Sequence, residues 1–217
     1  MDLPFEPTSI YEYAAMAHEA GYVRVIGVYE VGRGPLAGPV VAAAAFLPPG
    51  VEIDGLNDSK QLTAKKRELL YHIITNHAEI EYAFCSLDAE VVDEINIYQA
   101  TCKAMRKCSS ELKPDFILVD GKPVRDLPAP SKAIVKGDAK CASIAAASII
   151  AKVWRDRLME QYEQEYPGYG FARHKGYGTK VHLEALQKLG PTPIHRRSFS
   201  PVAACLPDAL KQQEFTF

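Results

Sequence analysis

The segment CASIAAASIIAKVWRDRLMEQYEQEY constrains this chain more than any other stretch of it. From about Cys141 to Tyr166 its spacing predicts one long helix. The first half, ASIAAASIIAKVW, is small and apolar on every side, so that part must be enclosed, whereas RDRLMEQYEQEY is amphipathic. A second enclosed element is VVAAAAFL, Val40 to Leu47, closed by Pro48, Pro49 and Gly50. It reads as a strand buried on both faces that ends at a turn.

Short β-rich runs alternate with longer amphipathic ones along the rest of the chain, which points to an α/β fold. Helices are expected over Ser9–Ala20, from Thr63 as N-cap to about Asn76, from Asp88 or Ala89 to about Cys108, and over Thr179–Leu189. Strands are expected near Tyr22–Val28, Glu79–Ser86, Phe116–Val119 and Ala133–Val135. One domain over residues 1–190, with a small helical extension over 191–217 packed on it, accommodates these elements. No run approaches the roughly 18 apolar residues of a membrane span, and MDLPFEPTSIYEY has neither the basic nor the apolar region of a secretion signal. A cytoplasmic protein is expected, with its five cysteines reduced and not spaced for zinc. Residues 1–101 hold 6 Lys/Arg against 15 Asp/Glu, and residues 102–217 hold 19 against 12. The basic second half suits a polyanionic partner.

Three acids stand where strands are expected to end: Glu30 after VRVIGVY, Asp120 after FILV, and Asp138 after AIVKG. Ligands of α/β sheets collect at strand ends, and converging carboxylates call for a cation. Such an all-oxygen set suits Mg²⁺ or Mn²⁺. Any one of these acids alone could equally cap a turn. Directly after Glu30 comes Val31-Gly32-Arg33-Gly34-Pro35, a glycine-flanked arginine where backbone can approach a ligand. Asp156 reads as a member of a structural ion pair, and His174, His182 and His195 as ordinary structural histidines rather than a zinc site.

YEVGRGPLAGPVVAAAAFL, GLNDSKQL, FILVDG, IVKGDAKCASIAAASIIAKVWRDR, HKGYGTKVH and PIHRRSF follow one another as in bacterial ribonuclease HII, and residues 20–202 resemble that family. The resemblance implies a ribonuclease H-like fold, a mixed five-stranded sheet flanked by helices. It also implies an endoribonuclease that hydrolyses the RNA strand of RNA–DNA hybrids and cuts 5′ to single ribonucleotides in duplex DNA, by two-metal catalysis with Mg²⁺ or Mn²⁺. The four family carboxylates match Tyr29, Glu30, Asp120 and Asp138. The first is Tyr29 where the family has Asp, and a neutral phenol with one oxygen is a poor bridging ligand. Reduced metal affinity and turnover are therefore expected, and a non-catalytic hybrid-binding protein is the alternative. A different nuclease or a transposase on the same fold is the third reading.

Gly32, Arg33 and Gly34 correspond to backbone groups that contact the ribonucleotide 2′-OH, and Tyr177 to a tyrosine that stacks under the next sugar. Ser59 and Lys60 are candidate phosphate contacts. Lys175 and Lys180 lead a basic face that could also include Lys136, Lys140, Lys152, His174, Arg196 and Arg197. The C-terminal Gln213–Phe217 resembles, weakly, a sliding-clamp-binding peptide, and a monomer is expected.

Overall fold

The computed structural model describes residues 8–206. In chain order the elements are α1 (Glu12–Glu19), β1 (Val25–Val31), β2 (Val40–Phe46), α2 (Ala64–Asn76), β3 (Glu81–Leu87), α3 (Ala89–Glu111), β4 (Phe116–Asp120), β5 (Ser131–Ile134), α4 (Gly137–Lys140), α5 (Ala142–Glu165), α6 (Phe171–His174), α7 (Lys180–Leu189) and α8 (Ser200–Ala203). The five strands form one sheet in the order β3-β2-β1-β4-β5. β1 runs antiparallel to β2 and parallel to β4, and β4 runs parallel to β5, so the sheet is mixed. None of the helices among the described residues is long and apolar enough to cross a membrane.

The two segments that read as enclosed are the core. Ala42 to Ala45 of β2 and Ile144 to Ala147 of α5 are fully buried. β1 and α5 approach so closely that a Cβ on Gly27 would lie 2.3 Å from the backbone nitrogen of Ile144. Only glycine permits that contact. Thr63 caps α2 by accepting the Lys66 N–H at 3.2 Å, as its sequence position suggested. Thr63→Ala is expected to lower stability by about 1 kcal/mol, measurable as a shift in the urea midpoint.

Three differences from the sequence reading have local causes. α1 begins at Glu12 rather than Ser9, because Thr8 spends its backbone N–H and its hydroxyl on the Glu12 carboxylate, at 2.7 and 2.6 Å. α3 is broken at Asn96, whose φ of 64° and ψ of 161° are not helical. Its side chain accepts the N–H groups of Tyr98 and Gln99 at 3.0 and 3.1 Å, so Asn96 caps a second helical piece within what reads as one amphipathic run. Asp138 sits not at a strand end but in the single turn of α4, which follows the left-handed Lys136.

The chain divides into two compact units. Among the described residues, one comprises residues 8–31, 41–85 and 101–153, the other 32–40, 86–100 and 154–206. In the first, the buried half of α5 lies on β1. The second is built around Ala37, Met159, Tyr169, Phe171 and Ala185, with a smaller cluster of Leu36, Leu186 and Val202. The described part of the expected extension, residues 191–206, falls in the second unit with α6 and α7. Cys85, Cys102, Cys108 and Cys141 are buried and all five cysteines are free thiols.

Candidate active site

The parallel pairing of β1 with β4 matches Val28 to Val119, so Tyr29, still within β1, and Asp120, the last residue of β4, come next side by side. Tyr29 is 3% exposed, and burial pushes its phenol up to about 12 despite the neighbouring Lys60 ammonium. At neutral pH it is a neutral hydroxyl. Asp120 is half-buried, and its Oδ1 accepts the Gly137 N–H at 2.7 Å, which ties β4 to the turn that carries Asp138.

Asp138 is buried, 6% exposed. Both carboxyls are raised from the ordinary aspartate range, each chiefly by burial, and for Asp138 the charge of Asp120 comes next. Asp58 is the third cause at Asp138 and is the one nearby acid that the sequence reading passed over as part of a loop. The Lys60 ammonium lies 3.6 Å from Asp138 Oδ2 and 5.5 Å from the centroid of the Tyr29 ring. It is hydrogen-bonded to Tyr29, the main reason its own pKa is raised. Lys60 thus sets one positive charge against Asp138 and the phenol.

In donor chemistry this cluster fits a hard divalent cation, because Asp120 and Asp138 offer carboxylate oxygens that burial leaves short of countercharge. In number it falls short of a four-carboxylate site. Residue 29 offers a phenol, and among the described residues no three His, Cys, Asp or Glu side chains are grouped to hold one ion.

The second unit carries the glycine loop and Tyr177. Gly32 is buried with φ 87°, and a Cβ there would lie 2.4 Å from Arg155 Nε and 2.6 Å from the Pro39 carbonyl oxygen. Arg33 and Gly34 are exposed. A Cβ on Gly34 would lie 3.4 Å from the Tyr177 ring, which is itself 46% exposed. Leu36 N–H donates to the Gly176 carbonyl at 2.8 Å, so the glycine loop and the turn bearing Tyr177 are hydrogen-bonded together.

A chain of histidines holds that turn from behind. His182 Nδ1 lies 2.9 Å from the Tyr177 carbonyl, which can only accept, so Nδ1 carries the proton. Its Nε2 must then accept from His195 Nε2, at 3.0 Å. His195 Nδ1 in turn accepts the Thr192 N–H at 2.9 Å. The two bonds in which a ring nitrogen accepts, at His182 Nε2 and His195 Nδ1, require neutral imidazoles. Burial lowers both rings, His195 to about 4. Above pH 6.5 the folded and unfolded rings are both neutral and the linkage is silent. Between pH 6.5 and 4 the unfolded His195 gains a proton that the folded one refuses, so stability falls with pH by about 3 kcal/mol. Thermal unfolding from pH 7 to 4 is the check, with His195→Gln expected to flatten the profile.

Two expectations are corrected by burial. Arg196 is 0% exposed and cannot belong to a phosphate-binding surface. Ser59 is 1% exposed, its carbonyl accepting Arg67 Nε at 2.8 Å, so its hydroxyl is not presented to a phosphate. Lys175 donates to Glu160 at 2.7 Å, while Lys180 stands 88% exposed, 3.8 Å from Glu184. His174 Nε2 lies 2.8 Å from the Tyr169 carbonyl oxygen, and its Nδ1 accepts the Gly176 N–H at 3.2 Å. What the sequence reading missed is the pair Arg155 and Arg196, both fully buried. Their positions in KVWRDR and HRRSF look like those of any surface arginine.

The ribonuclease HII family model matches residues 26–202. A ribonuclease HII of Enterococcus faecalis is 52% identical over 200 residues, covering 91% of this chain and 77% of its own. Among solved structures, the ribonuclease H2 from Pyrococcus horikoshii OT3 has a TM-score of 0.71 at 30% identity, over 84% of this chain and 96% of its own. The structure of a PCNA:RNase HII complex from Archaeoglobus fulgidus has a TM-score of 0.69 at 26% identity, over 81% and 95%.

Proposed function

This chain belongs to the ribonuclease HII family, and from that premise we propose that it recognises a ribonucleotide in a duplex through Gly32, Arg33, Gly34 and Tyr177. Cleavage belongs to Glu30, Asp120 and Asp138, and Tyr29 weakens it. The substrate is the RNA strand of an RNA–DNA hybrid or a single ribonucleotide within duplex DNA, cut on its 5′ side to leave 3′-hydroxyl and 5′-phosphate ends. The observation that carries this reading is the convergence of half-buried Asp120 and buried Asp138 beside residue 29, both carboxyls raised chiefly by burial.

Asp120 and Asp138 would hold a divalent cation, Mg²⁺ or Mn²⁺, which when bound would supply charge stabilisation for the attacking water and the leaving 3′ oxygen, and the family resemblance alone adds Glu30 to them. The chain's own groups do the rest. Gly137 N–H orients the Asp120 carboxylate, and Lys60 balances Asp138. Lys60 and Lys180 are proposed to meet backbone phosphates, a reading their exposed side chains support, 67% and 88% accessible. Lys175, engaged with Glu160, contributes after exchanging that partner for a phosphate.

The alternative, a non-catalytic hybrid-binding protein, is favoured specifically by Tyr29. The clamp-binding reading of Gln213–Phe217 lies outside the described residues, and the archaeal PCNA complex is its support. A cytoplasmic monomer completes the proposal. The test is a fluorescent duplex carrying one ribonucleotide beside a matched all-DNA duplex: preferential binding of the first is expected. Equal affinity for both would overturn the substrate assignment whatever the cleavage rate.

A further inference from the structure

Two fully buried arginines in the second unit donate to backbone carbonyls. Arg196 Nε donates to Gly38 at 3.1 Å, Nη1 to Arg33 at 3.0 Å and Pro35 at 2.8 Å, and Nη2 to Gly32 at 2.5 Å and Gly38 at 2.9 Å. Arg155 Nε donates to Pro39 at 3.0 Å, Nη2 to Ala37 at 3.2 Å and Nη1 to Lys175 at 2.9 Å. Burial lowers both guanidinium pKa values, Arg155 to about 10 and Arg196 to about 9, and both remain cations at neutral pH. Burying two charges in this way is costly, and a core built only for stability would use apolar side chains there.

The geometry accounts for the cost. Every peptide bond here is trans, so the N–H of each residue points opposite to the preceding carbonyl. Arg196 draws the carbonyls of Gly32 and Arg33 inward. The N–H groups of Arg33 and Gly34 are thereby turned the other way, on the exposed stretch of the loop and beside the Tyr177 ring. The inward carbonyl of Pro35 likewise aims Leu36 N–H, which meets Gly176. Arg155 fastens the far end of the same loop, at Ala37 and Pro39, to Lys175, two residues before Tyr177. A planar five-donor fork is suited to this, and lysine, with three donors at one point, is not.

We propose that Arg196 and Arg155 are positioning residues for ribonucleotide selection: Arg196 turns the Gly34 amide toward the substrate hydroxyl, and Arg155 holds that amide in register with Tyr177. This rests on the ribonucleotide-binding reading above. Neither arginine touches the nucleic acid.

The experiment compares the affinities of the full chain for the one-ribonucleotide duplex and the all-DNA duplex, by fluorescence anisotropy in EDTA so that no cleavage intervenes. For Arg196→Lys, which keeps the charge and loses the fork, the ribonucleotide preference is expected to fall about tenfold while all-DNA affinity changes little. Arg33→Ala, which leaves the backbone in place, is expected to weaken both duplexes alike and keep the preference. Wild-type protein with no preference would sink the substrate reading itself. Wild-type preference that survives undiminished in Arg196→Lys overturns the positioning role, as does its loss in Arg33→Ala. If circular dichroism shows Arg196→Lys unfolded, the same ratio is read on Arg155→Lys, and an unchanged ratio there overturns the proposal.

Discussion

Tyr29→Asp is expected to raise cleavage of a duplex carrying one ribonucleotide by about a hundredfold or more in Mg²⁺ or Mn²⁺. The argument is electrostatic. Residue 29 lies in β1 beside Asp120, and its phenol, pushed up to about 12 by burial, contributes no charge at neutral pH. A carboxylate in its place adds a unit negative charge and a second oxygen beside two acids whose carboxyls burial already raises. If that relieves the transition state by about 3 kcal/mol, the rate rises by a little over two decades.

The same substitution exposes a second readout. Mn²⁺ affinity, followed by the electron paramagnetic resonance signal of free Mn²⁺, should tighten along with the rate. Removing a buried ring leaves space, so some loss of stability is expected and is measured separately. A wild-type chain that cuts as fast as the Tyr29→Asp form would show that residue 29 has no part in holding a cation. A variant that gains Mn²⁺ affinity but no rate would place the defect elsewhere in the site.

Gly27→Ala is expected to cost about 3 kcal/mol or more, at the upper end of what overpacking a core produces. A Cβ there would meet Ser143 C and Ile144 N at 2.3 Å and Ser143 Oγ at 2.6 Å. Two of those three atoms are backbone, so no rotamer change relieves the clash and α5 must move off β1. Tyr29 lies two residues further along the same strand, so its neighbourhood should be disturbed as well. Chemical denaturation gives the cost, and an unperturbed midpoint would mean that α5 and β1 separate easily.

Much of the sheet was legible beforehand because its strands are unusually apolar. VVAAAAFL and FILV can be stable only when covered, and they are β2 and β4. Capping chemistry was readable at Thr63, which accepts the N–H three residues on, whereas Thr179, read as the first residue of a helix, is the cap that precedes it. Asn96 was not readable. Its neighbours keep a helical spacing, and the break depends on a backbone conformation that periodicity does not register.

The acids separate the two levels clearly. Residue type and order alone single out Glu30, Asp120 and Asp138 as candidates and mark Tyr29 as the departure from the family pattern. Order along the chain cannot say that Asp58 bears on Asp138, or that Lys60 stands against both Asp138 and the Tyr29 ring. Those facts depend on which loops fold over the strand ends. Arg155 and Arg196 are the sharpest case. An arginine's role turns on whether its charge meets water, a carboxylate or a ring of carbonyls, and only the packed chain decides that. Local propensity and hydrophobic pattern determined the elements of this protein, and the order of its motifs its family. The tertiary structure alone decided which polar groups are buried, because burial is a property of what lies across the fold and not of what lies next in sequence.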